Sequence, residues 1–413
     1  LSRFADQTKV RVYAFTRQPS GDEFIIGRPE SSAFLVIPRD AVDLLDVLAG
    51  GSTCREAVAY YRERYGETPD LAEFLEALHA KGFLAPELDE PAVTLERTPP
   101  RKPERPWISR RMAHALFNRF TALGALALMV AAIITLARLP ILIPSRSSLV
   151  FRTHMAFFGG LLFGINLLTT FIHESAHLLA ARAIGVKARI GIGNRLWILV
   201  AETDLSGLWA VPRSARFLPI LAGPLIDAAS ASLLVLFLAV AGAGWRSSHP
   251  LGVQFVQALV MTYLLKLLWQ CYLFVRTDFY YAFIMLFDCK NLMNDTHNFV
   301  KNQIATLLGR GNVVDQSSIP SSERRVIRWY ALPWLMGRCL AFWILFWVQI
   351  PVMISYLVLV TGNLSKGYHS GRFMDTLLFS GIGCSMLFIG MFLWLRDIVK
   401  VRRASHARGN LAT

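Results

Sequence analysis

Polar and apolar positions follow two different patterns along the chain. Over residues 1–90 they mix at short range, as in a soluble fold. Beyond residue 111 the chain carries apolar runs separated by polar, mostly basic stretches. The runs reach the roughly 20 residues that a helix needs to cross a bilayer. They fall at 115–137, 155–181, 217–241, 251–275, 334–360 and 376–395. This pattern predicts a polytopic α-helical membrane protein with six transmembrane helices. The intervening charges alternate. Basic residues are dense in the linker before the first span, after the second (Arg182, Lys187, Arg189, Arg195, Arg213, Arg216), after the fourth and in the tail. They are sparser after the first, third and fifth spans. By the positive-inside rule, both termini are predicted to be cytoplasmic.

The first 90 residues predict a small α+β, winged-helix-like cytoplasmic domain. "VRVYAF", "EFIIG" and "SAFLVIP" read as short strands, with turn residues at Pro19-Ser20-Gly21 and Pro29-Glu30-Ser31 between them. "RDAVDLLDVLAGG" places Leu44, Leu45 and Leu48 on one helical face and stops at Gly50-Gly51. "STCREAVAYYRERYG" opens with a capping box, Thr53 to Glu56. "DLAEFLEALHAKGFL" spaces Leu71, Phe74, Leu75 and Leu78 as a third helix, with Asp70 as its cap and Gly82 past its end. These polar, mixed residues predict no signal peptide. Residues 91–111 are a solvated linker rich in Pro and Arg. The membrane core is expected over 112–290, a polar loop over 291–333, and two further spans with a basic tail over 334–413.

Composition sharpens the picture. The chain of 413 residues is 54% hydrophobic with a formal net charge of +14. Such a charge can mark a nucleic-acid partner, but no nucleic-acid motif accompanies it. The basic residues sit beside apolar spans, where they face a lipid bilayer. The helices of the N-terminal domain are acidic (Asp40, Asp43, Asp46, Glu56, Glu63, Glu73, Glu76), which opposes DNA binding. The five cysteines are scattered without a Cys-x-x-Cys pair, so they predict free thiols.

The chemistry concentrates in "TTFIHESAHLLAARAIG". His173 and His177 lie one turn apart on a helix and can share one metal ion through their rings. Glu174, beside them, suits a general base acting on water that a Zn²⁺ ion activates. A His-Glu-His cluster inside an apolar span is costly, and such clusters are usually functional. A third protein ligand is needed. Asp278, at the end of the fourth span in "CYLFVRTDFYYAF", lies at the depth of His177 and is preferred. Asp227 in "LAGPLIDAASAS" is the alternative, with Glu202, Asp204 and His297 more distant. In the third span, Ala222 and Gly223 permit close backbone approach, and Pro224 frees a carbonyl that could bind a peptide. "VKARIGIGNRLWILVAET" alternates around Gly193-Asn194 and reads as a β-hairpin able to accept an extended peptide by strand addition.

His173-Glu174-Ser-Ala-His177 in one span, Ala222-Gly223-Pro224 in the next and Asp278 after the one beyond resemble the site-2 protease family of membrane-embedded zinc metalloproteases. The match covers about residues 150–290. "ETDLSGLWAVPRSARFLPILAGP" and "TDFYYAF" are similar to its bacterial branch of peptide zinc metalloproteases, although Phe279 follows Asp278 where the family has glycine. The resemblance implies intramembrane proteolysis in a bacterial inner membrane, with Zn²⁺ held by His173, His177 and Asp278 and with Glu174 as general base and acid. Residues 10–88 resemble the PqqD-like peptide-binding domain, the recognition element for ribosomally made, modified peptides (RiPPs). In that family a leader peptide adds a strand to the small sheet and packs on the last helix. This would place Phe34, Leu35, Val36, Phe74 and Leu78 near a peptide groove.

The expectation is a zinc metalloendopeptidase that cleaves a ribosomally synthesised precursor peptide whose leader the N-terminal domain holds. Gly223, Pro224, Asp227, Phe34, Val36 and Phe74 are the expected substrate-binding residues. Two other classes stay open: a regulated signalling protease that cuts a membrane-protein substrate, and a non-catalytic peptide-binding or export module. A retained Glu174 favours catalysis, because a structural metal site has no use for a base.

Overall fold

Short strands precede three amphipathic helices in the computed structural model, which describes residues 9–20, 23–28, 33–86, 109–195, 198–287, 289, 291–309, 311, 313–317, 319–385, 388, 391, 392 and 396. The described residues form two units. One is built on the N-terminal domain together with Ala181–Ala188 and Asp204–Arg216; the other is built on the apolar helices.

In the first unit, β1 (Val10–Val12), β2 (Thr16–Ser20), β3 (Glu23–Arg28) and β4 (Ala33–Pro38) lead into α1 (Arg39–Ala49), α2 (Cys54–Tyr65), α3 (Leu71–Ala80) and β5 (Leu84–Pro86). β2, β3 and β4 form an antiparallel meander, and β1 pairs with β5 through Val12 and Leu84. Pro19 was expected to mark a turn, yet it lies within β2, opposite Phe24. Proline has no amide to donate, so it is tolerated there because β2 is an edge strand. The core gathers Ile26, Leu45, Leu48, Leu75, Leu78 and Phe83. The expected cap of α2 forms: Thr53 Oγ1 accepts from the Glu56 amide at 3.3 Å, and Glu56 Oε2 accepts from the Thr53 amide at 2.8 Å. These bonds hold the Glu56 carboxyl below its usual range. The Tyr61 hydroxyl donates to Asp40, tying α2 to α1, and the adjacent carboxylate pushes the phenol up to about 12.

The first unit runs into α4 (Arg110–Leu116), and α5 (Arg119–Arg138) is the first helix wholly within the second. Asn118 separates the two by capping the Phe120 and Thr121 amides. Then follow α6 (Met155–Ala183), the paired strands β6 (Arg189–Arg195) and β7 (Ile198–Asp204), α7 (Arg213–Val240), α8 (Gly242–Ser248), α9 (Pro250–Gln270), α10 (Asp278–Phe287), α11 (Leu292–Leu307), α12 (Ser321–Ile344) and α13 (Ile350–Leu364). Among the described residues, five helices are long and apolar enough to cross a membrane: Arg111–Arg138, Met155–Ala183, Arg213–Val240, Pro250–Gln270 and Glu323–Leu364. Large apolar side chains such as Phe120, Leu123, Ile133, Phe157 and Phe171 point outward, as lipid-facing residues do. The first half of the sixth expected span lies in a helix over 373–385; residues 386, 387, 389, 390 and 393–395 lie outside the described residues.

Three boundaries differ from expectation. The hairpin turn falls after Arg195, so Gly193 and Asn194 belong to β6; residues 196 and 197 lie outside the described residues. The fourth span ends at Gln270 rather than 275, and the chain turns before α10. The fifth starts earlier than 334. α12 and α13 run on through a π-helical turn, Leu345–Gln349, giving one helix of 42 residues. At 1.5 Å per residue this is about twice a 30 Å hydrocarbon core. Its first turns pack Ile327, Tyr330 and Trp334 against Tyr280 and Leu292 of α10 and α11.

Helix α6 is capped at its start from another helix. The first two amides donate to Asp375, Met155 at 2.8 Å and Ala156 at 3.0 Å. Asp375→Ala should lower stability by about 1–2 kcal/mol, since it removes both acceptors and a favourable charge from the helix N-terminus. Thermal unfolding of the detergent-purified protein measures this, and Asp375→Asn should recover part of the loss.

Candidate metal centre

Four segments of the second unit supply the centre. His173 and His177 sit on the same face of α6, as their spacing requires. His173 is 9% exposed and His177 2%. Asp278 opens α10, and its side chain is 24% exposed. The two Nε2 atoms are 3.1 Å apart, and Asp278 Oδ2 lies 3.3 Å from that of His173 and 3.4 Å from that of His177. Ligand atoms bound at 2.0–2.2 Å around a tetrahedral Zn²⁺ lie roughly 3.3–3.5 Å apart. The triangle therefore has the size of one face of such a tetrahedron. Among the described residues, this is the group of three that could hold a metal ion.

The outer ring nitrogens are engaged as metal-ligating histidines require. His173 Nδ1 lies 2.8 Å from Asp227 Oδ2, and His177 Nδ1 lies 2.7 Å from the Pro219 carbonyl. Both partners are acceptors, so each ring carries its proton on Nδ1 and turns the Nε2 lone pair toward the shared point. Asp227 is 3% exposed. Of the two aspartates weighed in the sequence, Asp278 joins the triangle and Asp227 orients His173 from behind. Pro224 removes the amide that would otherwise bond the Ile220 carbonyl, yet the carbonyl that reaches His177 is that of Pro219.

Gly223 faces the triangle. A Cβ at this position would fall against both Nε2 atoms and His173 Cε1, inside van der Waals contact. The missing side chain thus leaves the space that an ion would fill. The donor set, the ring orientation and this cradle all fit a metal.

Glu174 is half-buried, and Thr203 of β7 holds it: Oγ1 lies 2.8 Å from Glu174 Oε2 and 2.9 Å from its carbonyl oxygen. The remaining candidates lie elsewhere. Glu202 is exposed, Asp204 accepts from the Ser206 amide at 2.9 Å, and His297 packs beside Trp334. In the N-terminal domain, Leu78 is core and Leu35 and Phe74 pack on it. Phe34 lies over Gly27, where an added Cβ would meet its ring. Val36, 47% exposed, faces outward from β4. That strand has no second neighbour among the described residues.

Asp278 reaches the histidines because the turn before it is braced. Gln270 Oε1 accepts from the Asp278 amide at 3.0 Å, and Thr277 Oγ1 donates to the Gln270 carbonyl at 2.9 Å. Tyr330 of α12 donates to the Leu273 carbonyl at 2.7 Å. Gly337 lets α12 approach the backbone at Cys271–Leu273. Phe279 is half-buried, packs on the α10–α12 cluster and keeps a negative φ, so glycine is not needed after Asp278. Thr203, Pro219, Gln270 and Tyr330 were not foreseen. A threonine in an alternating strand, or a glutamine closing an apolar run, carries no signal until the fold brings it to its partner.

Comparison of the chain with protein families, curated proteins and solved structures finds no match.

Two substitutions probe this arrangement. Gly223→Ala should bring bound metal close to zero while the chain still folds, because the methyl takes the ion's place. Asp227→Asn should weaken metal retention about 10–100-fold, as loss of an outer-shell partner does. Metal analysis after graded chelator treatment measures both.

Proposed function

We propose that this chain is a membrane-embedded zinc metalloendopeptidase whose N-terminal domain recognises its peptide substrate. The observation that carries the reading is the buried convergence of His173 Nε2, His177 Nε2 and Asp278 Oδ2 within 3.4 Å of one another, with Glu174 next in sequence to the first ligand. Three protein ligands leave a fourth position for chemistry, which is the mark of a catalytic rather than a structural zinc site.

His173, His177 and Asp278 would hold the ion. Zinc, when bound, supplies Lewis acidity toward a peptide carbonyl and lowers the pKa of water. The residues of the chain do the rest. Thr203 bonds Oε2 of Glu174 and leaves Oε1 to take a proton and return it to the leaving amine. The β6–β7 pair positions Thr203, and its outer edge suits an extended peptide added as a further strand. The Asp278 side, about a quarter open, would give water and peptide a way in, while Asp227 closes the back.

The small sheet of the N-terminal domain offers its β4 edge, with Val36 exposed, to a precursor's leader. Tethering the leader would raise the local concentration of the cleavable segment. Phe34 and Phe74 would then act as the floor beneath that strand. The likeness to site-2 proteases and to PqqD-like domains supports this assignment, with the chain in a bacterial inner membrane and both termini cytoplasmic. Signalling proteolysis of a membrane protein and metal-dependent peptide export are the alternatives.

The first measurement is zinc per chain in detergent-purified protein. The expected result is about one zinc in the wild type, largely lost in Asp278→Asn. Glu174→Gln should keep its metal and lose peptide hydrolysis by about 10²-fold or more. No zinc in the wild type would sink the reading. Zinc with an intact precursor carried across the membrane would favour export.

A further inference from the structure

Lys266 is the charged residue within α9, and the reading above does not use it. Its side chain does not reach for the membrane surface. Nζ donates to Thr169 Oγ1 at 2.8 Å and to Thr170 Oγ1 at 3.1 Å. Each hydroxyl gives its own proton to the Asn166 carbonyl, at 3.0 and 2.8 Å. Their lone pairs therefore face α9, and a donor such as an ammonium is what they can accept. Thr169 and Thr170 precede His173 and Glu174 by one turn of α6. Lys266 thus grips the helix one turn from the first ligand and the general base.

The second observation is charge. Asp227 lies 2.8 Å from His173 Nδ1, and His173 is one turn along α6 from the hydroxyls that Lys266 grips. The Tyr263 ring of α9 lies beside the ammonium, its centroid 5.8 Å away. Asp278, Asp227 and Glu174 together bring three negative charges to a centre that a divalent cation neutralises only in part. One further positive charge makes the cluster neutral, and Lys266 supplies it. An uncompensated charge inside a span is expensive. A lysine near a helix end can also extend along apolar surface toward the interface, but this one turns inward to two hydroxyls.

We propose that Lys266 is a positioning residue for the metal centre: it fixes α6 through Thr169 and Thr170 and serves as the counter-charge to Asp227. The metal part of this inference rests on the proposed zinc reading; the charge pairing does not.

The test is a double-mutant cycle on full-length protein in detergent, with Lys266→Met, Asp227→Asn and the double variant. Thermal unfolding of chelator-treated protein should fall by several degrees in each single variant. The double variant should fall by clearly less than their sum, because neither charge is then left alone. Additive losses would overturn the pairing. In metal-loaded protein, Lys266→Met should retain zinc about tenfold less well against a chelator, the size of a lost outer-shell contact. The absorption spectrum of its cobalt-substituted form should also change. Unchanged retention and an unchanged spectrum would overturn the positioning role. If Lys266→Met does not fold, Thr169→Val/Thr170→Val keeps the charge and removes the grip, and the same two readouts apply. Wild-type protein that holds no metal would sink the zinc reading, while the unfolding cycle would still decide the pairing.

Discussion

Three lone pairs are turned toward one point inside an apolar helix bundle, and much of the surrounding structure serves to keep them there. Two imidazole nitrogens and a carboxylate oxygen within 3.4 Å repel one another unless a cation shares them. The fold answers by removing every other choice. The Nδ1 protons are committed to Asp227 and the Pro219 carbonyl, so neither ring can flip its tautomer without losing a buried bond. The local backbone is likewise committed: α7 offers a glycine where any side chain would intrude, and α10 begins where a carboxylate is needed.

The long helix α12–α13 acquires a role from the same constraint. A helix needs only about 20 residues to cross a bilayer, and this one has twice that number. The excess at its start is apolar on the side facing α10 and α11, and it carries Tyr330 and Gly337 to the turn before Asp278. That turn leaves α9 at Gln270, and the buried Gln270 amide reaches across it to the first amide of α10. Asp375 does for α6 what Gln270 does for α10: in each case a side chain from another helix satisfies the amides that the start of a helix leaves open.

Periodicity made most of the elements legible before the structure. The three amphipathic helices of the N-terminal domain follow from Leu44, Leu45 and Leu48, from the Thr53–Glu56 box and from Leu71, Leu75 and Leu78; α1 stops at Gly50 as expected, and α2 and α3 have their expected caps, Thr53 and Asp70. Length and hydropathy placed the spans, but not where they end. Nothing local tells Gln270 from Leu273 as a terminus, because the residues after it are as apolar as those before. The triangle of candidate ligands was readable because histidine, glutamate and aspartate are rare in long apolar runs and stand out there. The residues that orient it were hidden. Asp227 looked like a rival ligand, and only three-dimensional proximity separates an inner from an outer aspartate. Pro219 acts through its backbone, which no side-chain pattern reports.

The burial around the triangle is uneven, and this gives the centre a front and a back. Asp278 keeps about a quarter of its side chain open, whereas His177 and Asp227 are nearly closed, at 3% and 4%. A molecule seeking an ion held there would meet the open side of Asp278, at the first turn of α10, before the closed side of Asp227. Bulky chelators with groups on both sides of the metal-binding atom would meet the α7 backbone at Gly223. A selective inhibitor for such a centre would be shaped like a key: a narrow ligating tip, with all its specificity carried on the shaft that trails past Asp278.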